Sequence, residues 1–181
     1  MNDYKTITFG GGCFWCIESC FNQLKGVEKA VSGYSGGHKD HPSYQEVCTG
    51  ETNHAEVVQL TYDAKIISYE QLLEVFFFLH DPTQLNRQGN DIGTQYRSVI
   101  FYQTAEEKAL AENKIAQINQ SGKYKDKVVT QVVEFTQFWP AETYHQGYYN
   151  ANPDQPYCSA VVGPKIQKFL QHFRPLGWIK E

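Results

Sequence analysis

The chain has 181 residues, of which 41% are hydrophobic and 20% charged, and its formal net charge is −4. This length supports one domain with a hydrophobic core, and the composition is that of an ordinary globular protein. The acidic balance and the scattered Lys and Arg residues give no bulk electrostatic reason to bind nucleic acid or an anionic membrane. The longest apolar run, residues 75–79, is far too short to cross a bilayer, and the first ten residues lack a signal core, so we expect a cytoplasmic protein.

The first half of the chain predicts alternating strands and helices. An alternating stretch at residues 4–9 indicates a strand, three glycines end it, and apolar residues at helical spacing indicate a helix from Cys13 to Leu24. The elements predicted after it are a strand at 27–31, a turn region at 33–37, a surface loop at 38–52, a strand at 57–62 and a helix that follows Ser68 and ends before Pro82.

The second half continues the alternation and ends in an aromatic tail. Its predicted elements are a polar loop at 81–93, a strand at 97–102, a helix from Thr104 to near Gly122 with Glu107 completing a capping box, a strand at 128–135 and a short helix around 166–172. This order predicts an α+β fold, a two-layer α/β sandwich around a mixed, mostly antiparallel sheet with long functional loops. We expect one domain over 1–181, with a catalytic core at about 7–150 and a long irregular C-terminal tail at 151–181.

The cysteines indicate redox chemistry or metal binding. There are five, an odd number, and Cys13, Cys16 and Cys20 fall within eight residues, which does not suit a structural disulfide framework. A zinc site would need a second close pair, but Cys48 and Cys158 each stand alone. The spacing also differs from those of iron–sulfur proteins. We therefore expect no metal and no cofactor, and keep a non-catalytic metal-binding module as an alternative.

Cys13 is the candidate nucleophile. It follows a strand and a glycine break, at the start of a helix, where free backbone N–H groups and the helix dipole would lower its pKa and stabilise a thiolate. Cys16 lies on the same stripe of the helix, within plausible disulfide reach, whereas Cys20 adjoins the apolar face and is expected to pack in the core. Phe14 lies on the core face, and Trp15 lies off it, as a wall for an apolar substrate would.

Six blocks in order across residues 7–170 give the chain a family resemblance. They are residues 12–15 (GCFW), 33–37 (GYSGG), 44–48 (YQEVC), 54–56 (HAE), 89–98 (GNDIGTQYRS) and 140–146 (PAETYHQ). Together they resemble the peptide methionine sulfoxide reductase A family, which repairs one epimer of methionine sulfoxide. One short motif would be weak support, whereas six in order are specific.

The resemblance implies a role for each residue around the sulfoxide oxygen. Cys13 would attack the sulfoxide sulfur and become a sulfenic acid, with release of methionine. Glu56 would be a protonated carboxylic acid that gives a proton to the oxygen, while Tyr44 and Tyr96 would donate hydrogen bonds to it. This arrangement is physically sound, because the oxygen leaves only when its developing charge is neutralised.

The resemblance also implies a substrate pocket and a second thiol. Phe14 and Trp15 would hold the substrate methyl group, and Asp91 would position the substrate or its waters. The sulfenic acid must be resolved by another cysteine before an external reductant completes the cycle. Cys16, where many family members have glycine, is locally close, and Cys158 lies in a Pro-bounded tail that could move in. Cys16 is slightly preferred, and Cys48 is a weaker third candidate.

The implied partners are methionine-S-sulfoxide, free or in proteins, and thioredoxin as the reductant. We expect a monomer, since such an enzyme works on varied protein surfaces, and no nucleic acid or membrane partner. The alternative function is that of a thioredoxin-like disulfide oxidoreductase, indicated by a strand, a Cys-x-x-Cys segment and a helix. That alternative leaves Tyr44, Glu56 and the block at 89–98 without a purpose.

Overall fold

The computed structural model describes residues 4–180, so residues 1–3 and 181 of the predicted domain lie outside the described part. The strands are β1 (Tyr4–Gly10), β2 (Val27–Ser35), β3 (Ala55–Asp63), β4 (Arg87–Gln88), β5 (Asp91–Ile92), β6 (Val99–Tyr102), β7 (Gln131–Glu134) and β8 (Phe138–Pro140). The helices are α1 (Phe14–Phe21), α2 (Tyr44–Cys48), α3 (Tyr69–Leu79), α4 (Ala105–Ser121), α5 (Tyr148–Ala151) and α6 (Gly163–Phe173).

Six of these strands form one sheet in the order β7-β6-β1-β3-β2-β8, and β4 and β5 form a separate hairpin. The strand pairs are antiparallel except for β6 and β7, which run parallel. The mixed, mostly antiparallel sheet predicted from the sequence is therefore confirmed. Helix α1 packs on β2 and β3, α4 packs on β6 and β7, and α3 and α6 contact one another. No helix among the described residues combines the length and apolar character that crossing a bilayer requires.

Strand β3 is buried on both faces, and its alternation decides which residues meet the helices. Val58 and Leu60 belong to the main core between sheet and helices, whereas Val57 lies in a smaller cluster on the opposite face. Because successive side chains of a strand point to opposite faces, Glu56 shares the face of Val58. A carboxylic acid is thereby directed into the layer that contains α1.

The prediction of a turn over residues 33–37 is wrong for residues 33–35, because β2 continues to Ser35. Gly33 pairs with Val57 on β3 and with Pro140 on β8. A Cβ atom on Gly33 would lie 2.4 Å from the Phe138 ring and 2.5 Å from the Trp139 carbonyl oxygen. The glycine is thus required by the close approach of β8 inside the sheet and does not mark a turn.

Short elements inside the predicted loop and tail were missed. The loop at 38–52 contains α2, whose first turn is closed by a capping box between Ser43 and Glu46. The strand predicted at 128–135 contains β7, whereas the edge strand β8 follows it and was not predicted. The irregular tail at 151–181 contains a π-helical turn, Cys158–Val162, that leads directly into α6. Each of these elements has five residues or fewer, which is too short for a hydrophobic period to show in the sequence.

The capping box predicted at the start of α4 is only half formed. The Thr104 side chain accepts a hydrogen bond from the Glu107 backbone N–H at 3.1 Å. The Glu107 carboxylate, however, accepts from the backbone N–H of Gln103 at 2.8 Å, one residue before the N-cap. Helix α3 does begin with a complete capping box, formed by Ser68 and Gln71.

Candidate active site

Cys13 lies between β1 and α1, at the N-cap of the helix. Its backbone is extended, with φ −64° and ψ 125°, and the first helical residue is Phe14. The preceding Gly12 has a φ of +96°, in the left-handed region that favours glycine, and a Cβ there would lie 2.9 Å from the Gln88 side chain. Since Cys13 precedes the helix, its thiol can approach Cys16 without distortion of the first helical turn.

The thiols of Cys13 and Cys16 are hydrogen-bonded to each other and buried, at 8% and 4% exposure. The Cys13 thiol donates to the Cys16 sulfur, which lowers the pKa of Cys16 and raises that of Cys13. Burial and the nearby Glu56 carboxyl raise the pKa of Cys13 further, and the Trp15 backbone N–H opposes them only weakly. The expectation that the helix terminus lowers the pKa of Cys13 is therefore wrong for this state, because its neighbours outweigh the dipole.

Glu56 is a buried carboxylic acid next to the thiol pair. One of its oxygens, Oε1, accepts a hydrogen bond from the Phe14 backbone N–H at 3.2 Å. The other, Oε2, has no hydrogen-bond partner. Burial raises the pKa of Glu56 to about 8, against the opposing effect of the Phe14 N–H. The side chain is therefore mostly protonated near pH 7, with a free O–H group available for a ligand.

Tyr44 and Tyr96 come from different elements and face the same carboxyl group. Tyr44 is the first residue of α2, and Tyr96 ends a 3-10 turn at Thr94–Tyr96. Burial raises the pKa of both phenols, and the charge on Glu56 is the next contribution to each. Both tyrosines thus remain hydrogen-bond donors over the whole physiological range. Glu142 fixes Tyr44 by accepting its backbone N–H at 2.9 Å.

Trp15 is held in an aromatic cage that the sequence did not reveal. Its indole N–H donates to His145 Nδ1 at 3.0 Å, and its ring stacks on Tyr148 at 3.9 Å with an angle of 15°. The His145 ring also lies 5.1 Å from Phe14 and 4.4 Å from Tyr44. The sequence block at 140–146 includes His145, whereas no pattern in the sequence indicates Tyr148.

Asp91 joins the β4–β5 hairpin to the C-terminal segment. Its carboxylate accepts a hydrogen bond from the Tyr157 hydroxyl, a contact not foreseen from the sequence. The next residue, Cys158, is fully buried, and the charge on Cys16 contributes to raising its pKa. Cys158 is therefore more enclosed than a mobile tail would be.

The remaining cysteines lie at the margins of this arrangement. Cys48, at the end of α2, is exposed and hydrogen-bonded to the Tyr44 side chain, whereas Cys20 is buried in the core. Within residues 4–180, no three His, Cys, Asp or Glu side chains are grouped so as to hold a metal ion. What the site combines is a thiol pair, a neutral carboxylic acid, two phenols and an aromatic wall.

This combination agrees with the family that the sequence blocks resemble. The family model described as peptide methionine sulfoxide reductase matches residues 5–175. The chain belongs to this family. A curated member from Nautilia profundicola, peptide methionine sulfoxide reductase MsrA, is 53% identical over 163 residues, which is 90% of this chain and 92% of the relative. The family membership replaces the alternative of a thioredoxin-like disulfide oxidoreductase.

Solved structures of the family have the same fold. Reduced Mxr1 from Saccharomyces cerevisiae is 37% identical, with a TM-score of 0.75 over 84% of this chain and 87% of that one. Mxr1 has also been solved in complex with Trx2, and this chain matches it with 25% identity and a TM-score of 0.53 over 80% of this chain and 84% of Mxr1. The predicted α+β fold is thus confirmed by family structures as well as by the sheet topology.

Proposed function

We propose that this chain reduces methionine-S-sulfoxide, free or in proteins, to methionine, and that thioredoxin recycles it. The observation that carries the proposal is the neutral, buried Glu56, whose unpartnered Oε2 lies beside the start of the helix that follows Cys13. Sulfoxide reduction needs both an acid for the oxygen and a soft nucleophile for the sulfur. Membership of the family and the Mxr1 complex with Trx2 support the reaction and its reductant.

In the first step Glu56 gives its proton to the sulfoxide oxygen while Tyr44 and Tyr96 donate hydrogen bonds to the same atom. The thiol proton of Cys13 passes to Cys16, whose lowered pKa favours the thiolate that accepts it. The resulting Cys13 thiolate attacks the sulfoxide sulfur, and the hydroxyl then passes from that sulfur to Cys13. The S–O bond of the sulfoxide breaks and the S–O bond of a Cys13 sulfenic acid forms, so the substrate sulfur is reduced and Cys13 is oxidised. The developing charge on oxygen is neutralised by donors already in place.

We propose that the substrate methyl group binds against Phe14 and Trp15, and that Asp91 positions the substrate or its waters. The stacking of Trp15 on Tyr148 supports a rigid apolar wall at this point. Tyr157 caps Asp91, so the substrate must displace this tyrosine or share its hydrogen bond. Such polar groups on an otherwise apolar pocket fix the orientation of a small ligand.

We propose Cys16 as the resolving thiol. Its sulfur attacks the sulfenic acid, a disulfide forms with Cys13, and the hydroxyl leaves as water with the Cys16 proton. The hydrogen bond between the two thiols supports this assignment, because the attack needs no movement of the chain. Cys158 remains the alternative, since it is close to Cys16 but must leave a fully buried position. Thioredoxin then reduces the disulfide, which requires a reducing compartment, and we propose the cytoplasm.

The test is turnover of the separate sulfoxide epimers by purified protein with thioredoxin or dithiothreitol. We expect reduction of the S epimer and none of the R epimer, since one enzyme serves each epimer. Cys13→Ser should abolish reduction, whereas Cys20→Ala, a matched change of a buried cysteine on the same helix, should retain it. Equal rates on both epimers, or activity in Cys13→Ser above about a hundredth of wild type, would refute the proposal, because removal of a catalytic nucleophile can cost about 10⁶-fold in rate.

A further inference from the structure

Glu18 is a buried carboxylate that the proposed reaction does not use. It lies three residues after Trp15 on α1, so the two side chains project from neighbouring positions on one side of the helix. Both reach the segment at 145–148, where Trp15 contacts His145 and Tyr148 and Glu18 contacts Gly147, which directly precedes Tyr148.

The contacts of Glu18 form a closed ring of hydrogen bonds. The Gly147 backbone N–H donates to both carboxylate oxygens, at 2.8 Å and 3.1 Å, and the Ser32 hydroxyl donates to Oε1 at 2.9 Å. The Gln146 side chain completes the ring, since it bonds the backbone N–H and the carbonyl oxygen of Ser32, each at 2.9 Å. Helix α1, strand β2 and the segment that carries the aromatic cage are therefore tied at one point.

The local backbone explains why hydrogen bonds are needed there. Gly147 has a φ of +64°, in the left-handed region, and no atom lies within 4 Å of the place where its Cβ would be. With no side chain to pack, the segment is held at this residue through its N–H. Burial raises the pKa of Glu18, so the carboxylate is present at an energetic cost that an apolar residue would avoid.

We propose that Glu18 is a positioning residue for the substrate wall: through Gly147 it holds His145 and Tyr148 against Trp15. The proposal rests on the function proposed above, because it takes this wall to be the surface that binds the methyl group of the sulfoxide. When the hydrogen bonds between Glu18 and Gly147 are lost, the segment at 145–148 moves relative to α1. His145 and Tyr148 then separate from Trp15. Affinity for the substrate then falls, while the thiol pair and Glu56 keep their places.

The experiment uses a graded series in a background with Trp139→Phe and Trp178→Phe, so that Trp15 is the emitting tryptophan. Glu18→Leu keeps the volume and removes both acceptors. Glu18→Gln keeps one oxygen for Gly147, with a weaker bond than the charged group makes. Asn22→Ala is the matched control, because Asn22 also bridges α1 to β2 through a backbone pair, at Ala30, without touching the segment at 145–148.

We expect Glu18→Leu to raise KM for methionine sulfoxide by about tenfold and Glu18→Gln by about two- to threefold, each with a smaller change in kcat. The emission of Trp15 should shift in the same order, since its ring loses the stacked Tyr148. Asn22→Ala should lower the melting temperature and leave both KM and the emission unchanged.

The proposal is overturned if Glu18→Leu lowers the melting temperature but leaves KM and Trp15 emission at the wild-type values. If Glu18→Leu does not fold, Glu18→Gln decides: an unchanged emission and KM overturn the proposal. A wild-type protein that reduces no sulfoxide would refute the proposed function alone. In that case the Trp15 emission of the series still decides whether Glu18 holds the cage.

Discussion

Replacement of Glu56 by glutamine isolates the proton that the proposed mechanism takes from this residue. The amide has nearly the shape of the carboxylic acid, retains an oxygen for the Phe14 backbone N–H, and still offers an N–H donor to the sulfoxide oxygen. It has no proton to give at neutral pH. We expect single-turnover reduction at pH 7 to slow by about 10²- to 10⁴-fold, the usual contribution of general acid catalysis.

The pH dependence follows from the pKa of Glu56, which burial raises to about 8. With that value roughly nine-tenths of the carboxyl groups are protonated at pH 7 and roughly one-tenth at pH 9. The rate ratio of wild type to Glu56→Gln should therefore fall about tenfold between these pH values. The charge on Glu56 also raises the pKa of Cys13 in wild type, so the titration of the Cys13 thiol is measured in each protein and divided out before the rates are compared.

The assay is single-turnover consumption of methionine-S-sulfoxide by reduced protein in excess, quenched at set times from pH 6 to 10. Methionine and residual sulfoxide are separated and counted, so that the reductant plays no part in the measured step. A Glu56→Gln protein with the wild-type rate at pH 7 would remove Glu56 from the mechanism. A ratio that stays constant from pH 7 to 9 would show that its proton is not the one transferred.

Three further outcomes are expected. Glu56→Gln should be more stable than wild type by up to about 3 kcal/mol at pH 7, measured by urea unfolding. The cause is that the Glu56 carboxyl has a pKa of about 8 in the folded wild type and about 4.5 in the unfolded chain, so folding at pH 7 requires it to take up a proton. The difference in stability should vanish towards pH 4.5. Cys16→Ser should consume one equivalent of sulfoxide and then stall with thioredoxin, whereas Cys158→Ser should cycle; the reverse result would make Cys158 the resolver. Gly33→Ala should cost about 1–3 kcal/mol, seen as a lower urea midpoint, because its Cβ meets the Phe138 ring. An unchanged midpoint would contradict the close packing of β8.

The sequence predicted the main strands and helices, and it missed contacts that depend on residues far apart in the chain. Alternation along β3 and the break at Gly12 are local patterns, and they correctly indicated a strand at 57–62, which in the structure extends back to include Glu56, and a helix that begins beside Cys13. The close approach that makes Gly33 a strand residue depends on Phe138, more than a hundred positions later, and no local pattern contains it.

The pKa shifts in the site could not be predicted from the sequence for the same reason, because they depend on contacts between residues far apart in the chain. A helix N-terminus lowers a thiol pKa in isolation, and the spacing placed Cys16 near Cys13, but the sequence could not show that this neighbour, burial and Glu56 together would raise the pKa of Cys13. The aromatic cage was hidden for a related reason. His145 and Tyr148 lie in a segment without hydrophobic periodicity, and their partner Trp15 is 130 or more residues away in the chain.

The edges of the sheet have a consequence for a protein that meets damaged chains. One edge is β8, three residues long and ending in Pro140, which has no backbone N–H; the other is β7, only four residues long. Short and proline-blocked edges are poor templates for a foreign strand. Oxidised, partly unfolded proteins present unpaired strands, and this fold gives them little backbone to pair with, so encounters with such proteins can end in dissociation and not in co-aggregation.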